Sequence, residues 1–328
     1  MNHPFVSICI PTYNGDKYII ECLNSCMNQT FKDYEIIICD DGSSDNTISI
    51  IEDYASRSES IKFFKNDKNL GLVANWNKCI NLSTGKWIKF VFQDDYITYD
   101  CLQKFVNEIR EDSQLIVCKR HFLLPDNVSS DVLNYYTNEV RTLENTSSFK
   151  GKYFGPELIS RIAVQNICLN FIGEPSLIFF KKSITNETGL FNDSLKQICD
   201  LEFALRVSSK YGLNYIPEQL CAFRIHNEST TNLNVSNKYF DIHYIEPLLF
   251  SYLLLFDKCF KSFRSYLSFL QKLKLNLYFK LKANNANLVN VKEKRDHYLF
   301  SDSNTKFKEV NLYKKGSLLV RLIAAIRH

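Results

Sequence analysis

Glycine is scarce in this 328-residue chain, with ten in all, and none of them forms a G-x-G-x-x-G or a G-x-x-x-x-G-K-[ST] pattern. A dinucleotide-binding turn and a P-loop both need such glycines, because backbone N–H groups must come close to a phosphate. Dehydrogenase and P-loop readings fall away, as does a nucleotidyltransferase built on a glycine-rich phosphate loop. Long apolar runs are also missing. Spanning a bilayer takes ~20 apolar residues, and the nearest approach, YIEPLLFSYLLLF, contains Glu246 and Pro247. The amino-terminal MNHPFVSICIPTYNG has no basic stretch followed by a long apolar one, so no secretory signal is read there. These absences predict a cytoplasmic protein that does not cross a membrane.

Cysteine is plentiful. The chain has 11, an odd and scattered number, and several lie in apolar runs such as VSICIP and EIIICDD, where a thiol packs as a small hydrophobe. That usage fits a reducing compartment. Cys22 and Cys26 are spaced to share a helix face, but no histidine or second cysteine pair completes a zinc set. The formal net charge of +4 conceals an asymmetry, since from Asp257 onward 16 lysines and arginines stand against five acidic residues. Between Lys258 and Lys282, and again in VRLIAAIRH, the basic residues alternate with Leu, Phe, Tyr and Ile. This pattern predicts helices that lie on the anionic cytoplasmic face of the inner membrane, pack on the rest of the protein or mediate self-association. No nucleic-acid partner is expected.

Along the first ~120 residues, short β-branched runs alternate with helical patterns: FVSICIP, KYIIECLNSCMNQ, YEIIICD, NTISIIEDYA, IKFFKN, LVANWNKCINL, WIKFVFQ, CLQKFVNEIRE and LIVCK. Such alternation predicts a parallel, doubly wound α/β sheet. Ser44 or Asp45 is placed to cap the second helix and Gly85 to end the third. Residues 120–150 read as a polar, irregular segment. A helix is then expected from Gly155 to Asn166, another from Asp200, a strand at LCAFRIH, and helices beyond Ser236. Ligands of open α/β sheets bind beyond the carboxyl ends of the strands, so the polar groups after each apolar run carry the interest.

Four clusters fall there: Pro11-Thr12-Tyr13-Asn14, Asp40-Asp41-Gly42-Ser43, Asn69 to Asn77 around Gly71, and Gln93-Asp94-Asp95. Adjacent carboxylates ionise together only when a cation or hydrogen-bond donors compensate, so Asp94-Asp95 invites a hard divalent ion that also bridges phosphate oxygens. A solvated turn is the competing reading of an isolated Asp-Asp.

The ordered set P-T-Y-N-G, D-D-G-S-S-D-N-T, N-x-G-x-x-x-N-x-N, Q-D-D, G-E-P-S, C-D-L-E-F-A-L-R and F-R-I-H-N-E-S-T resembles the family-2 inverting glycosyltransferases and covers Phe5 to Thr231. The resemblance implies a GT-A (Rossmann-like), mostly parallel sheet flanked by helices over residues 1–235, followed by a basic, mainly helical region over 236–328. The activity it implies is inverting transfer from a nucleotide-sugar donor, a UDP-sugar by resemblance. The implied acceptor is a glycan or lipid-linked oligosaccharide of surface polysaccharide such as O-antigen or capsule. A degenerate transferase that binds nucleotide sugar without catalysis is the alternative.

Residue by residue, the resemblance assigns the nucleotide to Pro11, Thr12, Tyr13, Asn14 and Asp40, with Tyr13 offering a flat face and Asp40 accepting from a uracil-like N–H. Asn69, Asn75 and Lys78 lie over the donor, joined by Gln93 and Asp94. The family's metal motif is D-x-D within D-x-D-D. Here Phe92 takes the first place, and Asp94 and Asp95 keep the last two as ligands for Mn2+ or Mg2+. Arg224 meets the diphosphate and His226 the metal. An acidic pair that supplies the base reads Cys199-Asp200, which makes Asp200 the base and Glu202 a weaker alternative. Glu174 lines the acceptor side.

Overall fold

Val6–Thr12 (β1) and Tyr34–Asp40 (β2) are buried along almost their whole length, as strands covered by helices on both faces must be. The computed structural model describes residues 3–125, 128–147, 151–226 and 241–292. Between β1 and β2 runs Ile19–Met27 (α1), which buries Ile19, Cys22, Leu23 and Cys26. That spacing is the i, i+3, i+4, i+7 stripe of an amphipathic helix, so Cys22 and Cys26 serve as core. Thr47–Ser56 (α2), Ile61–Lys65 (β3), Leu72–Leu82 (α3) and Trp87–Phe90 (β4) follow. Asp45 caps α2 by accepting from the Thr47 N–H at 3.0 Å.

Gly85 does not stop α3. A Cβ there would lie 2.6 Å from the Ser7 nitrogen, so this glycine allows the turn into β4 to pass against β1. Its own N–H donates to Ser7 Oγ at 2.8 Å.

The next elements are Tyr96–Ile97 (β5), Cys101–Asn107 (α4), Leu115–Leu123 (β6), Ser130–Asn134 (α5), Leu143–Thr146 (α6), Tyr153–Phe154 (β7) and Pro156–Gln165 (α7). Then come Ile178–Lys181 (β8), Ile184–Thr188 (α8), Cys199–Tyr211 (α9) and Leu213–Arg224 (β9). The nine-stranded sheet runs β3-β2-β1-β4-β8-β6-β9-β5, with β7 added on β9. The first four strands are parallel, as the alternating pattern predicts. β8 is antiparallel to both β4 and β6, while β6 and β9 are parallel. The chain moves outward from β1 through β2 to β3 and then returns to β4 on the other side of β1. This switch opens a crevice beyond the carboxyl ends of β1, β2 and β4.

After β9 the described chain resumes with Glu246–Phe256 (α10), Lys261–Ser265 (α11) and Phe269–Lys292 (α12). Leu249, Phe250 and Leu254 of α10, Phe263 of α11 and Leu275 of α12 are buried in the core. The chain divides into a compact unit Met1–Phe279 and a second unit Lys280–His328, of which 280–292 are described. Helices 241–279 therefore belong with the sheet. The expected boundary at 235/236 and the VRLIAAIRH segment lie outside the described residues. No described helix is long and apolar enough to cross a membrane.

Candidate active site

The crevice is a cleft of about 690 Å³ whose wall includes Pro11, Thr12 and Tyr13 at the end of β1, Asp41 just after β2, and Gln93 and Asp94 after β4. Tyr13 is 49% exposed. Its backbone is clasped by the Gln93 amide, whose Oε1 accepts from Tyr13 N–H at 2.8 Å and whose Nε2 donates to Tyr13 O at 3.0 Å. Gln93 thus links the ends of β1 and β4 and presents the tyrosine ring to the cleft.

The two aspartates after β2 divide their work differently from the expectation. Asp40 is 0% exposed; its carboxylate accepts from Thr12 Oγ1 at 3.1 Å, from the N–H groups of Gly42 and Ser43 at 3.0 and 2.8 Å, and from Ser43 Oγ. A carboxylate so fully engaged shapes the turn, and it is Asp41 that stands on the cleft wall.

Asp41 accepts from Leu70 N–H at 2.7 Å and Gly71 N–H at 2.9 Å, fixing the start of α3. Gly71 sits at φ 89°, where a side chain would be strained. Asn69 and Asn75 line the cleft as expected, and Asn75 also donates to Cys39 O at 2.8 Å. Lys78 does not reach it; its ammonium donates to Asn66, which in turn donates to Asp41 at 2.7 Å. Asn14 is likewise off the wall. At φ 47° it staples two loops, donating to Ser43 Oγ and accepting from Ser44 N–H, each at 2.8 Å.

At the second end of the site, Asp94 Oδ2 lies 2.9 Å from His226 Nε2. His226 packs on Tyr18, with ring centroids 5.1 Å apart. Arg224 is held behind this pair. Its Nε donates to Asp94 O at 3.0 Å, its terminal nitrogen bonds Glu21, and its guanidinium lies 4.6 Å from the Tyr18 ring centroid. It buttresses Asp94 and His226 without lining the cleft.

Asp95 also departs from its expected place. It is 2% exposed and turns inward to accept from Ser176 Oγ at 2.5 Å and Arg224 N–H at 3.1 Å. Burial, reinforced by the adjoining Asp94, pushes its carboxyl well above the usual range. Both oxygens being engaged, Asp95 ties β4 to β9 and to the G-E-P-S turn rather than facing an ion. Phe92 packs on Trp76 at 4.9 Å and gives the cleft an apolar wall. Among the described residues no group of three or more His, Cys, Asp or Glu side chains is placed to hold a metal.

The third part is the acceptor side. Asp200, in the first turn of α9, lines the cleft beside Glu174. Burial, then the negative charge of Glu174, raises the Asp200 carboxyl to about 7, against donation from Leu201 N–H and Asn170 and the positive charge of Arg120. Asn170 Nδ2 donates to Asp200 Oδ2 at 2.8 Å, and Arg120 Nε donates to Glu174 Oε2 at 2.9 Å. Arg120 also donates to Asn170 O at 3.0 Å, so one buried guanidinium orders both carboxylates. Glu202 points away from the cleft and forms a buried two-bond pair with Arg206 at 2.8 and 2.9 Å. Sequence reasoning missed Arg120 and Asn170, which carry no motif and are brought to Asp200 only by the tertiary fold.

A carboxylate-lined cleft thus stands beyond the strand ends of this mixed sheet. Residues 7–155 match the model of Glycosyl transferase family 2. The chain is 29% identical over 231 residues to chondroitin synthase of Escherichia coli, a match covering 70% of this chain and 30% of that protein. Among solved structures it resembles Staphylococcus aureus TarS 1-349 in complex with UDP-GlcNAc, with TM-score 0.59 at 20% identity over 94% of this chain and 77% of that one. It also resembles the mannosyltransferase PcManGT of Pyrobaculum calidifontis in complex with GDP-Man and Mn2+, with TM-score 0.57 at 16% identity over 97% and 81%. The chain is a glycosyltransferase with a GT-A fold, and over residues 7–155 it is similar to family 2.

Proposed function

We propose that this transferase moves a sugar from a uridine diphosphate sugar to a hydroxyl of a glycan or lipid-linked acceptor, with inversion, during synthesis of a bacterial surface polysaccharide. The observation that carries this reading is Asp200, a cleft-lining carboxylate raised to about 7. General-base catalysis works best when the base titrates near the working pH. Asp200 takes the acceptor proton, the acceptor oxygen bonds the anomeric carbon, and the bond to the diphosphate oxygen breaks on the opposite side. One displacement inverts that carbon, and no covalent nucleophile is required. Glu174 is held by Arg120 beside the base, where it orients the acceptor.

The exposed ring of Tyr13 and the carboxylate of Asp41 support a uracil-like base at the far end of the cleft. Asp94 and His226 are suited to hold a divalent ion, manganese or magnesium, because such ions take few protein ligands and complete their shell with substrate phosphates and water. When bound, the ion neutralises charge on the diphosphate. A surface position at the cytoplasmic face of the inner membrane is supported by α12, where Phe269 is 79% and Leu270 72% exposed and Lys272 and Lys274 are exposed beside them.

The test is Asp200→Asn. It is expected to keep donor binding and to lose acceptor-dependent release of nucleoside diphosphate by ~10²–10⁴-fold. Turnover within about tenfold of wild type would remove Asp200 from the role of base.

A further inference from the structure

Four carboxylates line the cleft, from Asp41, Asp94, Glu174 and Asp200, and among its described lining residues Lys196 is the one lysine or arginine. A diphosphate entering this cleft meets four acidic side chains. The placement of Lys196 is then informative, because its backbone is immobilised while its side chain is exposed.

The segment that carries it, between Phe191 and the start of α9, is pinned at both ends by side chains from other elements. At one end the Asn77 amide of α3 accepts from Phe191 N–H at 3.0 Å and donates to Phe191 O at 2.9 Å. At the other, the carboxylate of Glu246 receives three successive backbone N–H groups, from Lys196 at 2.7 Å, Gln197 at 2.9 Å and Ile198 at 3.1 Å. Glu246 is buried and belongs to α10. Leu195, next to the lysine, is fully buried and anchors the middle of the segment. No described side chain forms an ion pair with the Lys196 ammonium. The hydrogen bonds hold the backbone, and the Lys196 ammonium, whose charge also acts on the Glu246 carboxylate, is the cation at the cleft. A cation fixed in advance where charge develops costs little reorganisation when the reaction occurs, which makes it worth more than a mobile surface lysine.

We propose that Lys196, held at the cleft by Glu246, is the cation that receives the donor's diphosphate and stabilises it as it departs, with Glu246 acting as its positioning residue. The proposal rests on the nucleotide-sugar reading above. It explains why a buried carboxylate from the C-terminal helices is spent on the backbone next to Lys196 and two residues before the base. It also makes α10 part of the catalytic apparatus.

The experiment uses the full-length protein and calorimetric titration with UDP, dTDP and GDP in the presence of manganese. With the nucleoside diphosphate that the wild type binds, Lys196→Met should raise Kd by about 10- to 100-fold, the range of a hydrogen bond to a charged group. Binding of the matching nucleoside, which lacks phosphate, should change by less than about twofold. Lys196→Arg should recover most of the lost affinity. Glu246→Gln, which replaces an acceptor with a donor facing N–H groups, should weaken the diphosphate in the same direction and lower kcat. Unchanged diphosphate affinity in Lys196→Met would overturn the proposal, and so would a defect confined to the KM of a phosphate-bearing acceptor. If the wild type binds none of the three diphosphates, the nucleotide-sugar reading itself fails and the role of Lys196 fails with it.

Discussion

Replacing Asp200 by asparagine probes chemistry and stability at once, and the two effects have opposite signs. The carboxyl is raised from an ordinary value near 3.8 to about 7, so the folded state holds its proton more tightly than the unfolded chain does. For such a group, stability is fully present below the unfolded value and is lost as pH rises through the folded one. An undiscounted conversion at 1.36 kcal/mol per pH unit gives ~4 kcal/mol above pH 7, and contact with water in the cleft reduces this to ~2 kcal/mol. The asparagine carries no charge to bury but gives up one acceptor, used now by Leu201 N–H at 2.6 Å, at a cost of ~1 kcal/mol. Urea denaturation at pH 5 and pH 8 should therefore show the variant gaining on the wild type by ~1–2 kcal/mol between the two pH values. In the wild type, the ionised fraction of a group titrating at about 7 falls roughly tenfold from pH 8 to pH 6, and kcat/KM should fall with it. A stability difference that does not change with pH, together with a flat activity profile over that range, would refute the raised carboxyl and its use as base.

Asp94→Ala should lower kcat/KM by ~10²-fold or more and raise the manganese needed for half-maximal rate, and chelation of the wild type should mimic it; full turnover in excess chelator would contradict the ion site. The neighbouring aspartates at the end of β2 should differ in their effect on UDP binding. Asp41→Asn is expected to weaken UDP binding and also to lower stability, because Leu70 N–H, Gly71 N–H and Asn66 lose a charged acceptor. Asp40→Asn should lower stability by ~1–3 kcal/mol, because several donors lose their partner, while UDP affinity of the folded protein stays nearly unchanged; lost UDP affinity in Asp40→Asn with none lost in Asp41→Asn would restore Asp40 to the nucleotide site. Paired Leu270→Ser and Leu273→Ser substitutions on α12 should reduce co-sedimentation with anionic vesicles at low salt. Each basic residue near such a surface contributes ~1 kcal/mol, so equal binding by the wild type to neutral vesicles would argue against that surface.

What could be read from the sequence were features carried by local order. The parallel strands β1 to β4, the helices between them, and the positions of Tyr13 and Asp94 follow from apolar runs ending in polar clusters, whereas Glu174 and Asp200 come from the resemblance to family-2 glycosyltransferases. The sequence offered no means of choosing between adjacent aspartates. β2 is buried on both faces, so it has no polar–apolar alternation from which to tell that Asp41 and not Asp40 lines the cleft. The same holds after β4, where Asp94 faces the cleft and Asp95 the interior. Glu202 could be set aside only when Arg206, one helical turn on, was seen to hold it. Arg120, Asn170 and Glu246 were not legible, because each acts on a residue 30 or more positions away. Such contacts arise from sheet order and helix packing, which local pattern does not encode.

The central claim is a single displacement at the anomeric carbon driven by one base. The measurement that tests it most directly is the anomeric configuration of the product, followed by NMR from the first turnover with a donor of defined configuration. The account predicts inversion, with product formation by Asp200→Asn lowered ~10²–10⁴-fold under the same conditions. Retention of configuration by the wild type would require a second displacement or front-face attack, and would contradict it.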